Sequence, residues 1–126
     1  MSKIRAPRNR TINLTEEEKL LFANDLMQIT EPVQVSDITN RIANQDVFKL
    51  AELLPEKFAD LLILDPPYNL TKTFNSSTFK KRSIEQYAEW FENLLVKLLP
   101  TLKNTASIYV CSEWFTSTAI HLVLEK

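Results

Sequence analysis

The residues best suited to chemistry form one short run, Asp65-Pro66-Pro67-Tyr68. A carboxylate such as that of Asp65 offers only acceptor oxygens, and Pro66 contributes a backbone carbonyl without an N–H group. Two neighbouring acceptors suit an amino group, because an amino group has two hydrogens to donate. Tyr68 adds a flat ring that can stack on a base, and the prolines stiffen the turn. The run therefore predicts a preorganised site that binds an amino group beside a planar ring.

Other reactive side chains give weaker signals. Cys111 falls in an apolar run and is interpreted as inert core, and His121 stands on a terminal helix without a visible partner. Tyr87 and Trp90 occur at helical spacing and are interpreted as core in preference to ligand contacts. The His, Cys and carboxylate residues lack the spacing of metal ligands, so we predict no metal site.

The composition excludes several common ligand sites. The chain has 126 residues, of which 44% are apolar and none is glycine, and this size and hydrophobicity are typical of one globular domain. Glycine-rich phosphate loops, dinucleotide-binding turns and the GxSxG nucleophile elbow are therefore excluded. A single cysteine favours a reducing compartment. Because no apolar run approaches the roughly 18 residues that span a bilayer, we expect a cytoplasmic protein without a membrane segment.

The basic residues concentrate in two stretches of an otherwise mildly acidic chain. Residues 1–10 carry four basic and no acidic side chains, and residues 68–84 are also free of acids. Lysine and hydroxyl groups suit phosphate contacts, so the second stretch is predicted to face DNA, with a plain surface loop as the alternative. Its predicted DNA-binding residues are Lys72, Lys80, Lys81 and Arg82.

Capping residues and apolar periodicity predict the elements of the first half. Thr15 and Glu18 form a capping box for a helix whose apolar positions continue to Met27. A short strand is predicted at Ile38–Ile42. Asp46 is the predicted N-cap of the helix that follows.

The second half has the pattern strand, helix, strand, helix. Ala59–Leu64 is almost continuously apolar, which is typical of a strand buried on both faces. A capping box that starts at Ser83 opens a long helix, Ser107–Cys111 is predicted as a second buried strand, and a last helix begins near Trp114. This alternation predicts an α/β fold in which Asp65 lies at the carboxyl end of a strand, where ligands bind.

The run Leu64-Asp65-Pro66-Pro67-Tyr68-Asn69-Leu70 resembles motif IV of the amino-group DNA methyltransferases, which methylate adenine N6 or cytosine N4. Residues 45–55 are similar to the acidic residue, short helix and Leu-Pro pair that precede this motif. Tyr87 and Trp90 resemble the motif V region, and residues 107–114 are similar to the motif VI strand. The similarity covers roughly residues 35–126, and the early position of motif IV resembles the β-type, permuted order.

The resemblance implies a Rossmann-like methyltransferase sheet with helices on both faces, of which only part is present. Residues 1–33 would be a basic arm and an N-terminal helix, and residues 34–126 a partial catalytic domain. The chain lacks the FxGxG cofactor motif and a target-recognition region. We therefore expect a missing C-terminal half or a partner chain, with a homodimer as one alternative, and we expect the chain alone to be inactive.

The resemblance also implies the site residues and the reaction. The catalytic residues, for a base flipped out of double-stranded DNA, would be Asp65, Pro66, Pro67 and Tyr68. The cofactor would be S-adenosylmethionine, contacted by Asp46, Val47, Asp65 and Pro67. The expected reaction is adenine-N6 methylation in a restriction-modification system, because Asp at the first motif position is commoner in adenine enzymes. Three alternatives stay open: cytosine-N4 methylation, methylation of an amide nitrogen in a protein or of a free base, and a non-catalytic module of the same fold.

Overall fold

The computed structural model describes residues 14–74 and 77–126, so the basic arm predicted at the N-terminus lies outside the described residues. The helices are α1 (Glu16–Ala23), α2 (Val35–Ile38), α3 (Val47–Leu50), α4 (Ile84–Leu98) and α5 (Trp114–Leu124). The strands are β1 (Leu26–Met27), β2 (Ile42–Ala43), β3 (Ala59–Leu64), β4 (Lys72–Phe74), β5 (Ser77–Phe79) and β6 (Leu102–Val110). Within these residues, no helix has the length and apolarity needed to cross a membrane.

The sheet that positions the predicted site pairs β3 with β6 in parallel. Leu61 pairs with Ser107 and Leu64 with Val110, after a shift of register near the start of β3. The connection between the two strands contains the antiparallel β4–β5 hairpin and α4. Because parallel strands point the same way, the segments that follow Leu64 and Val110 emerge at the same edge of the sheet.

Only one face of the β3–β6 sheet is covered by described residues. Leu62 and Leu64 pack against the apolar clusters built on α4 and α5, whereas Leu61 and Ile63 are 50% and 65% exposed. The prediction that Ala59–Leu64 is buried on both faces is therefore wrong for this part of the chain. Successive side chains of a strand point to opposite faces, and α4 and α5 both lie on one of them. Helices on both faces, as the resemblance implies, are likewise not observed among the described residues.

The centre of the core is α4, whose buried side chains recur at helical spacing along its whole length. These buried residues are Tyr87, Phe91, Leu94, Leu95 and Leu98. The predicted capping box is confirmed, since the backbone N–H groups of Ser83 and Gln86 each donate to the side chain of the other residue at 3.2 Å. Because α5 packs against the same α4 residues, the two helices support the sheet from one side.

The first helix is shorter than the sequence predicts. The capping box of Thr15 and Glu18 is confirmed, with hydrogen bonds of 2.8 and 3.1 Å. The helix then ends at Ala23, and Leu26–Met27 form β1, which pairs in parallel with β2. The apolar positions up to Met27 were therefore wrongly assigned to one helix, because their spacing fits a helix and a short strand equally well.

The predicted strand at Ile38–Ile42 is wrong except at its last residue. Ile38 closes α2, and only Ile42–Ala43 belong to β2. The helix is favoured by a local bond, in which the Gln34 backbone N–H donates to the Asp37 carboxylate at 2.8 Å. A helix of four residues is too short to produce a detectable apolar period.

The chain makes left-handed turns without glycine. Asn40, Lys57 and Asn69 have φ angles of 58°, 50° and 47°. Asn tolerates this conformation better than most residues because its short polar side chain can bond locally. Asn69 follows Tyr68 directly, so its backbone conformation turns the chain away from the predicted site.

Candidate active site

The run Asp65-Pro66-Pro67-Tyr68 leaves the carboxyl end of β3, as the sequence predicts. Pro66 is buried, whereas the side chains of Asp65 and Tyr68 are exposed at the edge of the sheet. The end of β6 lies beside them, because the Cys111 backbone N–H donates to the Leu64 carbonyl at 2.8 Å. The turn therefore stands on a paired strand end but remains open to solvent.

A hydrogen bond joins the two polar side chains of the turn. Tyr68 Oη donates to Asp65 Oδ1 at 2.8 Å. This hydrogen bond raises the pKa of Tyr68, and desolvation and the nearby charges of Asp65 and Cys111 add to the shift. The phenol is therefore a proton donor at neutral pH, and it uses one oxygen of the carboxylate. The second oxygen, Asp65 Oδ2, accepts no hydrogen bond from the described residues.

The carbonyl groups of the two prolines differ in what they contact. Pro67 O accepts the Asn69 backbone N–H at 2.9 Å and the Tyr87 hydroxyl at 3.0 Å. Pro66 O accepts no hydrogen bond within the described part of the chain. A carbonyl oxygen has two lone pairs, so Pro67 O is saturated and Pro66 O is open. Asp65 Oδ2 and Pro66 O thus lack a hydrogen-bond partner among the described residues, and Asp65 and Pro66 are the pair to which the sequence analysis assigns an amino group.

Asn69 connects the end of the turn to the start of α4. Its side chain is buried, and its Nδ2 donates to the Arg82 carbonyl at 3.0 Å while its Oδ1 accepts the Arg82 N–H at 2.8 Å. Next to this pair, the Lys81 N–H donates to Thr71 Oγ1 at 3.1 Å. These bonds close the base of the β4–β5 hairpin, so the hairpin and the turn are held as one unit.

An aromatic cluster lies behind the turn. Tyr87 is fully buried, and its ring lies 5.4 Å from that of Trp90, measured between centroids. The rings of Phe79 and Phe48 also contact Trp90, at 5.5 and 6.2 Å. Burial, with the charge of Glu113 adding, raises the pKa of Tyr87 to about 12. The interpretation of Tyr87 as core is confirmed, and its hydroxyl remains a donor throughout the neutral range.

The predicted DNA-binding residues lie at the two ends of the β4–β5 hairpin, in the stretch that the sequence analysis predicts as a DNA-facing loop. Lys72 begins β4, and Lys80 and Lys81 are exposed after β5. Arg82 differs, because its guanidinium lies 5.1 Å from the Phe79 ring centroid and 5.6 Å from that of Trp90. Cation–π contacts of this kind hold a guanidinium in place, so Arg82 is less available than the two lysines.

The predicted cofactor residues Asp46 and Val47 lie on a different element. Asp46 is confirmed as an N-cap, since its Oδ1 accepts the N–H groups of Phe48 and Lys49 at 2.9 and 3.2 Å. Phe48 belongs to the apolar cluster that includes Leu64, so α3 lies on the covered side of the sheet. Among the described residues, no hydrogen bond joins Asp46 or Val47 to the Asp65–Tyr68 turn.

The remaining candidates lie apart from this constellation. Cys111 is exposed, so its assignment to the core is wrong, because β6 already ends at Val110. His121 Nε2 lies 3.2 Å from the carboxylate of Glu125 on the exposed side of α5. No group of three His, Cys, Asp or Glu side chains within residues 14–74 and 77–126 could hold a metal ion.

A shallow depression of about 390 Å³ lies along α4. Its lining residues are Arg82, Gln86, Glu89, Trp90 and Asn93. The Asp65–Tyr68 turn is not among them. The turn is therefore an open edge rather than an enclosed pocket in the described structure, and a substrate there would contact further surfaces.

Two residues of the site were not assigned from the sequence. The hydroxyl of Tyr87 contacts the Asp65–Tyr68 turn, although the residue is also core. A phenol within an apolar helix face needs a hydrogen-bond partner. The sequence therefore indicates that the Tyr87 hydroxyl contacts a polar atom. Asn69 carried a second signal, because a chain without glycine must use other residues at left-handed positions.

Parallel strands supported by helices are compatible with an α/β fold, and polar groups follow both strands at the edge of the sheet where such folds bind ligands. The family model described as DNA methylase, which covers N6 and N4 methyltransferases, matches residues 59–126. The chain therefore belongs to this family of amino-methyltransferases.

Two curated relatives are type II methyltransferases of bacilli. The chain is 26% identical over 106 residues to the type II methyltransferase M.BamHI of Bacillus amyloliquefaciens, covering 82% of this chain and 25% of that protein. It is 30% identical over 70 residues to the type II methyltransferase M.BglII of Bacillus subtilis, covering 56% of this chain and 18% of that protein. The chain thus spans a quarter or less of the length of these relatives. No solved structure matches it.

Proposed function

We propose that this chain is the catalytic part of a site-specific DNA methyltransferase that transfers the methyl group of S-adenosylmethionine to adenine N6. Membership of the amino-methyltransferase family supports the reaction class. The observation that carries the proposal is the pair of open acceptors, Asp65 Oδ2 and the Pro66 carbonyl, at a strand end. The type II methyltransferases among its relatives support a role in restriction-modification.

The chemistry follows from the two acceptors and the neighbouring ring. A target base flipped out of the duplex would stack on Tyr68, and its amino hydrogens would bond to Asp65 and Pro66. These bonds draw the nitrogen lone pair out of conjugation with the base, so that it can attack a methyl group. S-adenosylmethionine supplies that methyl group as an electrophile on its sulfonium sulfur. As the nitrogen takes up the methyl group, the S–C electron pair would stay on sulfur as a neutral thioether. The Asp65 carboxylate would stabilise the positive charge on nitrogen until the amino proton passes to the carboxylate or to water.

The residues assigned to the cofactor are compatible with S-adenosylmethionine. Asp46 uses Oδ1 for its two capping bonds, which leaves Oδ2 as an acceptor for donors of the adenosyl group. Val47 is partly exposed next to it. Asp65 and Pro67 would line the methyl end. Since the chain has no glycine-rich turn, we propose that the other wall comes from a C-terminal half or a partner chain.

Double-stranded DNA is the proposed partner, and the fold proposed for the complete domain is Rossmann-like. The β4–β5 hairpin begins at Lys72, is followed by Lys80 and Lys81, and is tied to the Asp65–Tyr68 turn through Asn69. Contacts from these lysines to phosphates would place the duplex over the turn. The parallel β3–β6 pair, with its site at the carboxyl edge, supports the Rossmann-like arrangement.

The test is a methylation assay of the protein in its natural form, together with any chain that completes it. The protein is incubated with duplex oligonucleotides and tritiated S-adenosylmethionine. The labelled DNA is then digested to nucleosides, and the methylated nucleoside is identified by mass. We expect N6-methyladenine. Recovery of N4-methylcytosine would assign the site to the other base, and the absence of label from DNA would overturn the proposal.

Matched aspartate variants connect that activity to the site. Asp65→Ala removes one of the preorganised acceptors and should lower kcat by roughly 10²-fold or more. Asp60→Ala is the control, because Asp60 lies on β3, the strand that leads to Asp65, and within the described residues its side chain makes only an exposed ion pair with Lys103 at 2.8 Å. Equal activity of the two variants would contradict the role of Asp65.

The chain by itself should bind the cofactor weakly and leave DNA unmethylated, because its described residues leave the site open. Calorimetric titration of residues 1–126 with S-adenosylmethionine measures this directly. Micromolar affinity, or methylation of duplex DNA by the chain alone, would show that no further segment is needed.

A further inference from the structure

The backbone of the Asp65–Tyr68 turn has few free dihedral angles, because its proline rings and its hydrogen bonds fix most of them. The rings of Pro66 and Pro67 fix φ at both residues, and the ring of Pro67 also restricts Pro66 to an extended ψ, so the main soft angle left is ψ of Pro67. At Pro67, the carbonyl is held by two donors, the Asn69 N–H at 2.9 Å and the Tyr87 hydroxyl at 3.0 Å. Since ψ determines the direction of the carbonyl, these bonds fix the last soft angle before Tyr68.

Of these two donors, only the Tyr87 hydroxyl comes from outside the turn. Tyr87 belongs to α4, is fully buried, and packs in the core cluster with Phe91 and Leu95. A side chain held in this way cannot follow a displaced loop without disturbing the core. The Tyr87 hydroxyl therefore holds the Pro67 carbonyl at a fixed position relative to α4.

A second anchor holds the other end of the turn. The buried Asn69 side chain makes two hydrogen bonds with the backbone of Arg82, at 2.8 and 3.0 Å, just before α4 begins. The turn is thus bound to α4 at Pro67, and at Asn69 to the segment that leads directly into α4. Between these anchors only the side chain of Tyr68 remains exposed.

We propose that Tyr87 and Asn69 are positioning residues of the methyl-transfer site, which hold the turn so that the oxygens of Asp65 and Pro66 keep a fixed separation. This inference rests on the proposed function. Two acceptors that converge on one amino group repel each other electrostatically, so an unanchored turn would open. An anchored turn has its acceptors in place before the base arrives, which lowers the barrier to transfer.

The decisive variant is Tyr87→Phe, which removes one oxygen and keeps the buried ring. Tyr109→Phe is the control, because it removes the same atom from a residue of β6 that is 64% exposed. Asn69→Gly tests the second anchor while keeping a residue suited to its positive φ. All three variants are made in the protein form that is active in the methylation assay.

In that assay Tyr87→Phe should lower kcat about tenfold and leave the KM values for DNA and cofactor within about twofold. Asn69→Gly should have the same effect, and Tyr109→Phe should match the parent. A lower melting temperature of Tyr87→Phe with unchanged kcat would mean that the hydroxyl only stabilises the core, and would overturn the proposal.

A second readout separates this proposal from the proposed function. Tyrosine labelled with ¹³C at Cζ is placed at position 68, and its ionisation is followed by NMR. The bond to Asp65 raises the pKa of Tyr68, so a turn loosened by Tyr87→Phe should move that pKa down towards 10. If the parent does not methylate DNA, the proposed function fails, but the titration still tests the anchor. An unchanged Tyr68 pKa in Tyr87→Phe would overturn it.

Discussion

The hydroxyl of Tyr68 donates to Oδ1 of Asp65 at 2.8 Å, so the ring assigned to stack on a base is tied to the carboxylate assigned to its amino group. The bond orients both side chains before any substrate is present. It also uses one oxygen of the carboxylate whose other oxygen, Oδ2, is proposed to bind the amino group. Tyr68 therefore has two opposite effects in the proposed reaction: its ring favours binding of the base, and its hydroxyl draws electron density from the Asp65 carboxylate.

Substitutions at Tyr68 separate these effects. Tyr68→Phe keeps the ring and releases Asp65, so methylation should stay within about threefold of the parent. Tyr68→Ala removes the stacking surface, and the loss of about 1–3 kcal/mol should weaken DNA binding roughly 5- to 150-fold. Steady-state kinetics and binding to a duplex that carries 2-aminopurine at the target position measure both. A larger loss for Tyr68→Phe than for Tyr68→Ala would contradict the stacking role.

The pH dependence of stability should report on Tyr87. Its pKa is raised from 10 to about 12 in the folded chain, so the unfolded chain loses this proton first as the pH rises. The stability from this group is complete below pH 10 and is lost as the pH rises through about 12. By pH 11 the loss should be about 1.4 kcal/mol.

Urea unfolding of the parent and of Tyr87→Phe at pH 7, 9 and 11 checks this dependence. At pH 7 the parent should be more stable by about 1 kcal/mol, the net value of the lost hydrogen bond. This difference in the free energy of unfolding should vanish by pH 11, because only the parent has the ionisable Tyr87 hydroxyl. A difference that stays constant from pH 7 to pH 11 would show that the Tyr87 proton is not held as described.

The elements around α4 could be predicted because their signals are local and strong. The capping box of Ser83 and the apolar periodicity of α4 are each contained within a few turns of one helix. The apolar run of β3 and the proline-rich turn after it place the candidate site at a strand end. Local sequence therefore determines these elements whatever they pack against.

The errors at Leu61 and Cys111 have a common physical origin, since both depend on contacts between distant segments. Whether Leu61 is buried depends on which face of the sheet the helices cover, and whether Cys111 is core depends on where β6 ends. The hydroxyl bond of Tyr87 joins residues 20 positions apart, so no local pattern could reveal it. The spacing of apolar residues along a helix indicates that a side chain is buried in the core. It does not indicate which backbone atom the polar group of that side chain contacts.

The salt dependence of DNA binding tests the hairpin. Lys80→Ala combined with Lys81→Ala should weaken binding to all duplexes and reduce the slope of log K against log salt by up to about two. Arg82→Ala should change the slope less, because its guanidinium is stacked on Phe79 and Trp90. Lys103→Ala is the control, since Lys103 pairs with Asp60 on β3, away from the hairpin. A slope unaffected by the double variant would contradict DNA contact there.

The uncovered face of the β3–β6 sheet makes a last prediction about the purified chain. Leu61, Ile63 and Tyr109 are all at least half exposed on neighbouring strands, so they form an apolar patch rather than scattered side chains. Such patches associate because burial releases about 25 cal/mol for each Å² of apolar surface. Residues 1–126 should therefore self-associate in a concentration-dependent way in sedimentation velocity.

Matched substitutions locate the surface responsible for that association. Ile63→Thr keeps a β-branched residue suited to a strand and removes apolar surface from the patch, so it should weaken association several-fold. Val96→Thr is the control, because Val96 is 60% exposed but lies on α4. If both variants associate like the parent, the contact lies elsewhere on the chain. If the parent is monomeric at about 100 μM, the exposed face of the β3–β6 sheet is stable in water and needs no other segment to cover it.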